Sequence, residues 1–354
     1  MRNLKMNMDT GIFKKLKIRE IKEEVKDFKT IIFEHNELIN YKPGQYITLV
    51  DQQPNEEIRR SYSISSTPAL NEPLSIGIKR IENGYFSRML VDKAKVGDEL
   101  LTIGSGGFFT LPDNILDYQQ VVFLAAGSGI TPVYSLLKSV LFEYPNIRVL
   151  LIYSNPSPEK TVWHNELQML AKEYERRFVL ELIFSNSPDL TRAHLYRELL
   201  LEFLFAYNIR NFNQTLFYIC GPEVYMRMCT YVLQEQGVPK DNIKKENFII
   251  QRREPSMKLP PDTENHQVCI TLAQNNYRFV VNYPDSILKA AQKQGIQLPY
   301  SCETGRCGNC AALCVQGKVW LSYNEVLTEK DLASGLTLTC VGHPVGGDVS
   351  LLIK

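Results

Sequence analysis

The sequence has no excess charge of either sign and no apolar run long enough to cross a membrane. Its 40 lysine and arginine residues nearly balance 39 aspartate and glutamate residues, for a net charge of +1, so no overall field attracts it to nucleic acid or to an anionic membrane. No apolar run approaches the roughly 20 residues of a membrane-spanning helix. The basic stretch 1–20 lacks the apolar core of a secretory signal. We therefore expect a soluble, cytoplasmic protein with no transmembrane segment and no nucleic-acid partner.

Histidine is scarce, and the motifs of hydrolytic enzymes are missing. No G-x-S-x-G elbow and no pair of catalytic acids stands out. The five histidines are His35, His164, His194, His266 and His343. None of them has a histidine four residues away or an evident carboxylate relay, so we expect surface or structural roles for them.

Cysteine is the residue type with the most specific spacing. The stretch 300–310, YSCETGRCGNC, carries Cys302, Cys307 and Cys310 as C-x4-C-x2-C, and Cys340 follows in TLTC. This is the plant-type spacing for four thiolates around a [2Fe-2S] cluster. A zinc ion is the alternative, because four thiolates also hold a tetrahedral ion, although zinc sites usually pair two C-x2-C hooks. A disulfide framework fits less well than either metal centre.

The remaining features of the cysteine pattern agree with a metal loop in a reducing compartment. Gly305 and Gly308 let the loop curl, because a residue without Cβ adopts positive φ and lets backbone amides approach the cluster. The other four cysteines show no spacing that suggests bridges. They are Cys220, Cys229, Cys269 and Cys314.

The pattern of apolar and turn residues changes twice along the chain, which predicts three domains and one linker. Residues 10–113 contain short β-like runs broken by glycine and proline, as in an antiparallel barrel or sandwich. Residues 114–250 alternate apolar strands with helical patterns, which indicates a parallel sheet covered on both faces. Residues 251–265 are charged and proline-bearing and read as a linker. Residues 266–354 begin with a hairpin and a short helix and then contain the cluster loop.

Two motifs of the first domain have the chemistry to hold a flat ring and its phosphates. Arg60 and Tyr62 share one face of a strand; arginine can bind a pyrophosphate and tyrosine can stack on a heterocycle. Gly84 and Ser87 lie at the start of a predicted helix, where free amides suit a phosphate. Taken alone, the first motif is more typical of a structural strand with a surface arginine, and the second is equally typical of an ordinary helix cap.

Two glycine-containing turns of the second domain follow apolar strands. The stretch 127–132, GSGITP, opens a helix, and Cys220, Gly221 and Pro222 follow the last apolar strand. Ligands of open α/β sheets bind at the carboxyl ends of the strands, so both turns predict a nucleotide site. A glycine-rich turn alone is a weak signal, and a buried small residue is the alternative for Cys220.

With these motifs in place, the chain resembles the ferredoxin-NADP reductase superfamily, specifically members with a C-terminal plant-type ferredoxin domain. Within that group it is most similar to the reductase component of phenylacetyl-CoA epoxidase and to related oxygenase reductases. The resemblance covers nearly the whole chain. Besides the cysteine set, it rests on RSYS at 60–63, GYFS at 84–87, GSGITP at 127–132, CGP at 220–222 and ENF at 246–248.

The resemblance implies a flavin-binding antiparallel β-barrel, an α/β nucleotide domain with a parallel sheet, and an α+β ferredoxin domain of the β-grasp type. It implies FAD, NADPH or NADH, and a [2Fe-2S] cluster as cofactors, and Ser63, Cys220 and Glu246 next to the reacting rings. The implied flavin residues are Arg60, Ser61, Tyr62, Ser63, Ile78, Lys79, Gly84 and Ser87. The implied nucleotide residues are Gly127, Ser128, Gly129, Thr131, Arg192, Cys220, Gly221 and Pro222. The implied cluster ligands are Cys302, Cys307, Cys310 and Cys340.

The implied activity is electron transfer from NAD(P)H through FAD and the cluster to a protein acceptor, an oxygenase component. A desaturase or a hybrid-cluster protein is the alternative acceptor, and a redox-sensing module without turnover is the alternative of a different class. Relatives often carry an Asn-Arg pair where this chain has Asn155 and Pro156, which removes one basic group. The choice between NADPH and NADH therefore stays open.

Overall fold

A computed structural model describes residues 13–35, 39–53, 57–248, 259–272 and 275–353. The strands and helices of these ranges form three successive groups, which correspond to the three domains predicted from the sequence.

The first group of strands forms an antiparallel barrel. Its strands are β1 (Lys14–Val25), β2 (Phe28–Phe33), β3 (Tyr46–Gln52), β4 (Glu57–Ser63), β5 (Ser75–Lys79) and β6 (Glu99–Gly106). They pair in the order β4-β3-β6-β1-β2-β5, and a bridge between Ile64 and Ile76 joins the two ends. Closure leaves no free sheet edge between β4 and β5, and inward apolar side chains such as Ile31 and Leu49 fill the centre.

One short helix packs against the core of the barrel. Helix α1 (Tyr85–Arg88) begins after Gly84 and runs directly into a π-helical turn, Met89–Lys93. Phe86 and Leu90 bury their side chains in the barrel core, which holds the start of α1 beside β5.

The second group is a five-stranded parallel sheet with helices on both faces. Its elements are β7 (Gln120–Ala126), α2 (Ile130–Glu143), β8 (Arg148–Asn155), α3 (His164–Glu173), β9 (Phe178–Phe184), α4 (Arg197–Ala206), β10 (Thr215–Cys220), α5 (Glu223–Glu235) and β11 (Ile243–Glu246). Helices α2 and α3 pack on one face, and α4 and α5 pack on the other. All seven side chains of β7 are buried because both faces of the sheet are covered.

The order of this sheet, β11-β10-β7-β8-β9, creates a switch point between β7 and β10. The chain runs outward from β7 through β8 to β9 and then returns to β10 on the other side of β7. A crevice opens at the carboxyl ends of two strands whose connections leave in opposite directions. The turns after Ala126 and Cys220 lie at this crevice.

The third group is a mixed sheet with one helix packed on it. Its elements are β12 (His266–Leu272), β13 (Asn275–Val281), α6 (Ile287–Lys293), β14 (Ala311–Gln316), β15 (Val319–Leu321), α7 (Glu329–Ala333), β16 (Leu336–Leu338), β17 (Gly342–Pro344) and β18 (Val349–Ile353). The order is β13-β12-β18-β14-β16, with β12 and β18 parallel, and β15 pairs with β17 in a separate ribbon. Helix α6 buries Ile287 and Leu288 against the sheet. This is the β-grasp arrangement expected for the ferredoxin domain.

The predicted fold class is confirmed, and the first domain is a barrel rather than a sandwich. The domain limits 10–113, 114–250, 251–265 and 266–354 stay predictions; residues 10–12, 249–258 and 354 lie outside the described part of the chain. Among the described residues, no helix combines the length and apolar content needed to cross a bilayer.

Candidate flavin, nucleotide and cluster site

One large cavity lies where the three domains meet. Its volume is about 1570 Å³, and residues of β4, of the turn after β7, of β11 and of the cluster loop all line it. Pockets for single small molecules usually measure about 300–1,000 Å³. The cavity is therefore large enough for a dinucleotide and a second ring beside it.

The strand β4 presents the predicted flavin residues to this cavity. The Arg60 side chain is exposed on the cavity wall. The Tyr62 ring lies 6.2 Å from the Phe86 ring, and burial raises the pKa of its hydroxyl. The Ser63 hydroxyl donates to Glu246 Oε2 over 3.3 Å, whereas Ser61 Oγ lies 2.9 Å from Thr48 Oγ1. An arginine and a ring on one strand fit the phosphates and the flat ring of a flavin.

The start of α1 fits a phosphate group. Lys79, Gly84 and Ser87 line the cavity, and the first-turn amides of a helix have no partner within it. A Cβ on Gly84 would lie 2.5 Å from Ser87 Oγ, so a larger residue would close this end of the cavity. Ile78 is fully buried in the barrel core and does not line the cavity.

Three residues of the turn after β7 have separate structural roles. Gly127 has φ of +54°, a conformation that favours glycine. Ser128 lines the cavity together with Thr131, whose Oγ1 donates to the Ser128 carbonyl over 2.9 Å. A Cβ on Gly129 would lie only 2.1 Å from the Cys220 carbonyl oxygen. The turn therefore brings a hydroxyl to the cavity and lets β7 and β10 end side by side.

Cys220, the last residue of β10, and Gly221 after it pack against the end of β7 at the crevice. Cys220 has 0% exposure, and burial and then the Glu246 carboxylate raise the pKa of its thiol. A Cβ on Gly221 would lie 2.9 Å from the Ala126 side chain, so this position also needs glycine for close packing. Pro222 precedes α5 and sets its first turn.

Arg192 does not line the cavity. Its Nη2 lies 2.7 Å from Glu181 Oε2, and its guanidinium carbon lies 5.1 Å from the centre of the Phe203 ring. The predicted contact of Arg192 with a nucleotide ribose or 2′-phosphate therefore requires this ion pair to open or to share its charge.

Glu246 connects the nucleotide sheet with the barrel. It ends β11, pairs in register with Cys220 of β10, and accepts the Ser63 hydrogen bond. The carboxyl group is half-buried in the cavity wall, and desolvation by the surrounding protein raises its pKa from 4.5 to about 8. Glu246 is therefore mostly protonated at neutral pH and can donate as well as accept a hydrogen bond.

The four cluster cysteines lie together as two pairs. A hydrogen bond with Cys307, followed by contacts with the Thr304 side chain and amide and the Arg306 amide, lowers the pKa of the Cys302 thiol from 9.0 to about 5. Cys310 Sγ and Cys340 Sγ lie 3.2 Å apart. Two pairs of thiols suit a centre with two irons and two thiolates on each.

The backbone of the cluster loop requires its glycines. Gly305 and Gly308 have φ of +73° and +76°, and a Cβ on Gly308 would lie 2.6 Å from the Phe108 ring of the barrel. Asn309 Nδ2 is buried and has no hydrogen-bond partner among the described residues, which leaves one donor for a cluster sulfur. The loop thus fits a cluster and lies directly against the flavin domain.

Sequence reasoning missed the residues that join the cluster loop to the barrel. The Tyr46 hydroxyl donates to the Cys307 carbonyl over 2.7 Å, and Arg59 Nη1 donates to the Tyr300 carbonyl over 3.1 Å. The only available signal was the arginine next to Arg60, whose side chain must point to the opposite face of β4.

His266 has the structural role expected of it, but the structure also gives it a carboxylate partner that the sequence analysis did not identify. Its Nε2 lies 2.7 Å from Asp262 Oδ2, and the backbone amides of Glu264 and Gly346 also donate to the Asp262 carboxylate. These hydrogen bonds lower the pKa of Asp262 to about 2. The pair attaches the segment before β12 to the ferredoxin domain, so His266 has a carboxylate partner and a structural role.

The barrel, the parallel sheet, the shared cavity and the paired cysteines define a modular electron-transfer oxidoreductase. Three known families match in the same order along the chain. Residues 14–110 match the oxidoreductase FAD-binding domain, residues 123–230 match the oxidoreductase NAD-binding domain, and residues 270–345 match the 2Fe-2S iron-sulfur cluster binding domain.

Relatives that match nearly the whole chain identify the group within the superfamily to which it belongs. The ferredoxin reductase component of 3-ketosteroid-9-alpha-monooxygenase from Mycolicibacterium smegmatis is 30% identical over 352 residues, 95% of this chain and 96% of that protein. One of the 1,2-phenylacetyl-CoA epoxidase subunits of Escherichia coli is 30% identical over 346 residues, 95% of this chain and 96% of that protein. This chain belongs to the ferredoxin-NADP reductase superfamily, in the group whose members carry a C-terminal [2Fe-2S] domain.

A solved structure agrees with the fold. Phthalate dioxygenase reductase superposes with a TM-score of 0.57 at 21% identity, covering 96% of this chain and 98% of that one. The arrangement of the three domains in one chain is therefore shared with a protein of distant sequence.

Proposed function

We propose that this protein is an NAD(P)H-dependent reductase that delivers electrons through FAD and a [2Fe-2S] cluster to a partner oxygenase. The single observation that carries the proposal is the common cavity, because β4, the turn after β7 and the pair Cys302 and Cys307 all line it. A hydride donor, a flavin and a cluster can exchange electrons only when their sites are adjacent.

The residues of the chain bind and orient the cofactors. Arg60, Lys79 and the first turn of α1 hold the flavin phosphates, and Tyr62 packs beside the ring. Ser128 and Thr131 receive the nucleotide pyrophosphate at the switch point. When bound, the flavin takes a hydride from NAD(P)H and releases electrons singly, which is the chemistry that a one-electron iron-sulfur centre needs.

Two further residues control protons and solvent near the reacting rings. Glu246 holds a proton on its carboxyl group beside the Ser63 hydroxyl, because its pKa is raised to about 8. Cys220, fully buried behind Glu246, excludes water from this side of the crevice. The four thiolates of Cys302, Cys307, Cys310 and Cys340 hold the cluster.

Anaerobic titration of the purified protein tests the proposal. NADPH and NADH are added separately while flavin absorbance and the electron paramagnetic resonance of the cluster are followed. We expect at least one nucleotide to bleach the flavin and to produce the signal of a reduced [2Fe-2S] centre. A flavin that bleaches beside a silent cluster would contradict the electron path, and a silent flavin would contradict the reductase function.

The acceptor is proposed from the relatives, which are reductase components of monooxygenase systems. Cytochrome c can replace the acceptor in a first assay, because an exposed cluster reduces it without a specific interface. We expect rapid NAD(P)H-dependent reduction of cytochrome c. Failure of that reaction with both cofactors bound would favour the redox-sensing alternative.

We also propose that the protein acts in the cytoplasm. None of the eight cysteines forms a disulfide, and those outside the cluster set, among them the half-buried Cys269 and Cys314, are free thiols. Free thiols persist in reducing compartments, where nicotinamide nucleotides also occur. Fractionation of the native cells with a specific antibody tests this location.

A further inference from the structure

The two neighbouring arginines of β4 point in opposite directions. Both residues line the cavity, but Arg60 is exposed on its wall whereas Arg59 is only 5% exposed. Arg59 Nε lies 2.6 Å from Glu57 Oε1, and its Nη1 donates to the Tyr300 carbonyl over 3.1 Å. Its guanidinium carbon also lies 3.8 Å from the centre of the Tyr300 ring. Arg59 therefore contacts the cluster loop with both the edge and the face of its guanidinium group.

Arg59 is part of a set of contacts on both sides of one ligand pair. Residues 300–301 directly precede Cys302, and Ser301 Oγ lies 2.9 Å from Ser61 Oγ of β4. The Tyr46 hydroxyl donates to the carbonyl of Cys307 itself. Cys302 and Cys307 line the cavity, whereas Cys310 and Cys340 do not. The barrel thus holds the pair of ligands that faces the flavin site.

Stability alone is a poor reason for an arginine at this position. Burying an ion pair costs desolvation energy, and replacement of such a pair by apolar side chains of similar volume is often neutral or stabilising. An arginine fixes direction better than a lysine, because its planar fork makes several hydrogen bonds at set angles while its face stacks on a ring. The contacts of Arg59 use each of these properties, which indicates a need for a defined geometry.

We propose that Arg59 is a positioning residue for electron transfer between the flavin and the cluster. By holding residues 300–301 against β4, it sets the separation between the flavin site and the Cys302 and Cys307 ligands. The inference rests on the proposed reductase function. A hydride from NAD(P)H would supply two electrons: the cluster would take one, pass it to the external acceptor and then take the second, while the proton is released to solvent. No bond of the protein is made or broken.

The variant R59Q in the holoprotein tests this role by stopped-flow reduction with NAD(P)H. Arg59 also lines the cavity, so the flavin content of the variant is measured first, and the rate of cluster reduction is then compared with the rate of flavin bleaching in the same sample. Reduction of the cluster should slow by about tenfold, because the rate of electron transfer falls steeply as the separation of the two centres grows. R59K, which keeps the charge and loses the fork, should change the rate in the same direction.

Hydrogen exchange gives a second readout that does not depend on turnover. In R59Q, the backbone amides of residues 300–307 should exchange faster, while those of the nucleotide domain stay unchanged. The matched control is K138M, which removes another buried ion pair, between Lys138 and Glu72, at the interface of the barrel and α2. K138M should lower the thermal midpoint without slowing the reduction of the cluster.

Wild-type rates of cluster reduction together with wild-type exchange in R59Q and R59K would overturn the proposal. If R59Q does not fold, Y300L removes the stacked ring from the other side, and its wild-type behaviour in both readouts would be equally decisive. A failure of the reductase function is distinguishable, because the wild-type flavin would then stay oxidised with either nucleotide. The exchange comparison would still decide whether Arg59 holds the loop.

Discussion

At the scale of single residues, Glu246 has the environment that differs most from that of a surface carboxylate. It lies at the end of β11 between the Ser63 hydroxyl and the buried Cys220, and desolvation raises its pKa from 4.5 to about 8. A raised carboxyl pKa means that the folded protein binds a proton that the unfolded chain has already released. This difference gives Glu246 a measurable effect on stability.

We predict that the stability of the wild-type protein falls as the pH rises from about 4.5 to about 8, and that E246Q removes this contribution. In that window ionisation favours the unfolded chain, so the free energy of unfolding decreases with pH. At pH 8 the advantage of E246Q should be on the order of 1–3 kcal/mol. Thermal midpoints of both proteins across this range check the prediction, and parallel pH profiles would contradict it.

The cysteine set allows a second prediction with a matched control. C340S should lose the cluster absorbance and most of the bound iron while keeping the flavin, because one of the four thiolates is removed. C314S should keep both, since the Cys314 thiol contacts the carbonyl of Gln316 and not the other cysteines. Iron analysis and visible spectra decide. Equal loss in both variants, or zinc in place of iron, would contradict the assignment of the ligands.

At the scale of elements, the approach of β7 to β10 depends on Gly129. Its φ of −62° and ψ of −12° are available to any residue. Its constraint is steric, because a Cβ would lie 2.1 Å from the Cys220 carbonyl oxygen. Gly127 has the opposite constraint, with φ of +54° and open space around a Cβ. The same short turn thus needs one glycine for conformation and another for close packing.

We predict that G129A separates the carboxyl ends of β7 and β10. The variant should lose about 1–3 kcal/mol of stability, as overpacked sites do, and should raise the KM for NAD(P)H because the crevice between the strands changes shape. S128A serves as the control for thermal stability only, since it adds no atom next to β10, and it should keep the wild-type midpoint. Thermal unfolding and steady-state kinetics measure both effects. An unchanged KM in G129A would contradict the steric interpretation.

At the scale of the whole molecule, the cavity belongs to no single domain. Its lining comes from the barrel, the nucleotide sheet and the cluster loop, and direct hydrogen bonds such as Tyr46 to Cys307 connect the domains around it. Strand β4 and residues 300–303 of the cluster loop line the same part of it, so a flavin bound on β4 lies against the loop as well. Binding of the flavin should therefore stabilise regions beyond the barrel.

We predict that removal of the flavin lowers the thermal midpoint and increases hydrogen exchange in β4 and in residues 300–307 together. A ligand that binds only the folded state contributes about 2.7 kcal/mol when its free concentration is 100 times Kd. Strand β9, at the far edge of the nucleotide sheet, should show no change and serves as the internal control. Protection confined to the barrel would contradict a flavin site shared among the domains.

The sequence by itself determined the domain classes and predicted the cluster ligands, because most of those signals are local. Alternation of side chains, the run of buried residues in β7 and the C-x4-C-x2-C spacing depend only on neighbours along the chain. The glycines of the turns were also recognisable, although their separate roles required coordinates.

The tertiary structure alone decided which residues meet at the common cavity. Arg59 and the Tyr300 carbonyl are 241 positions apart in the sequence, and Ser63 and Glu246 are 183 positions apart. Such contacts depend on how whole domains dock, and no periodic pattern records docking. The raised pKa of Glu246 has the same origin, because desolvation comes from protein that the fold brings around the carboxyl group. The chemistry of each module is therefore local in the sequence, and the path between the modules is a property of the folded molecule.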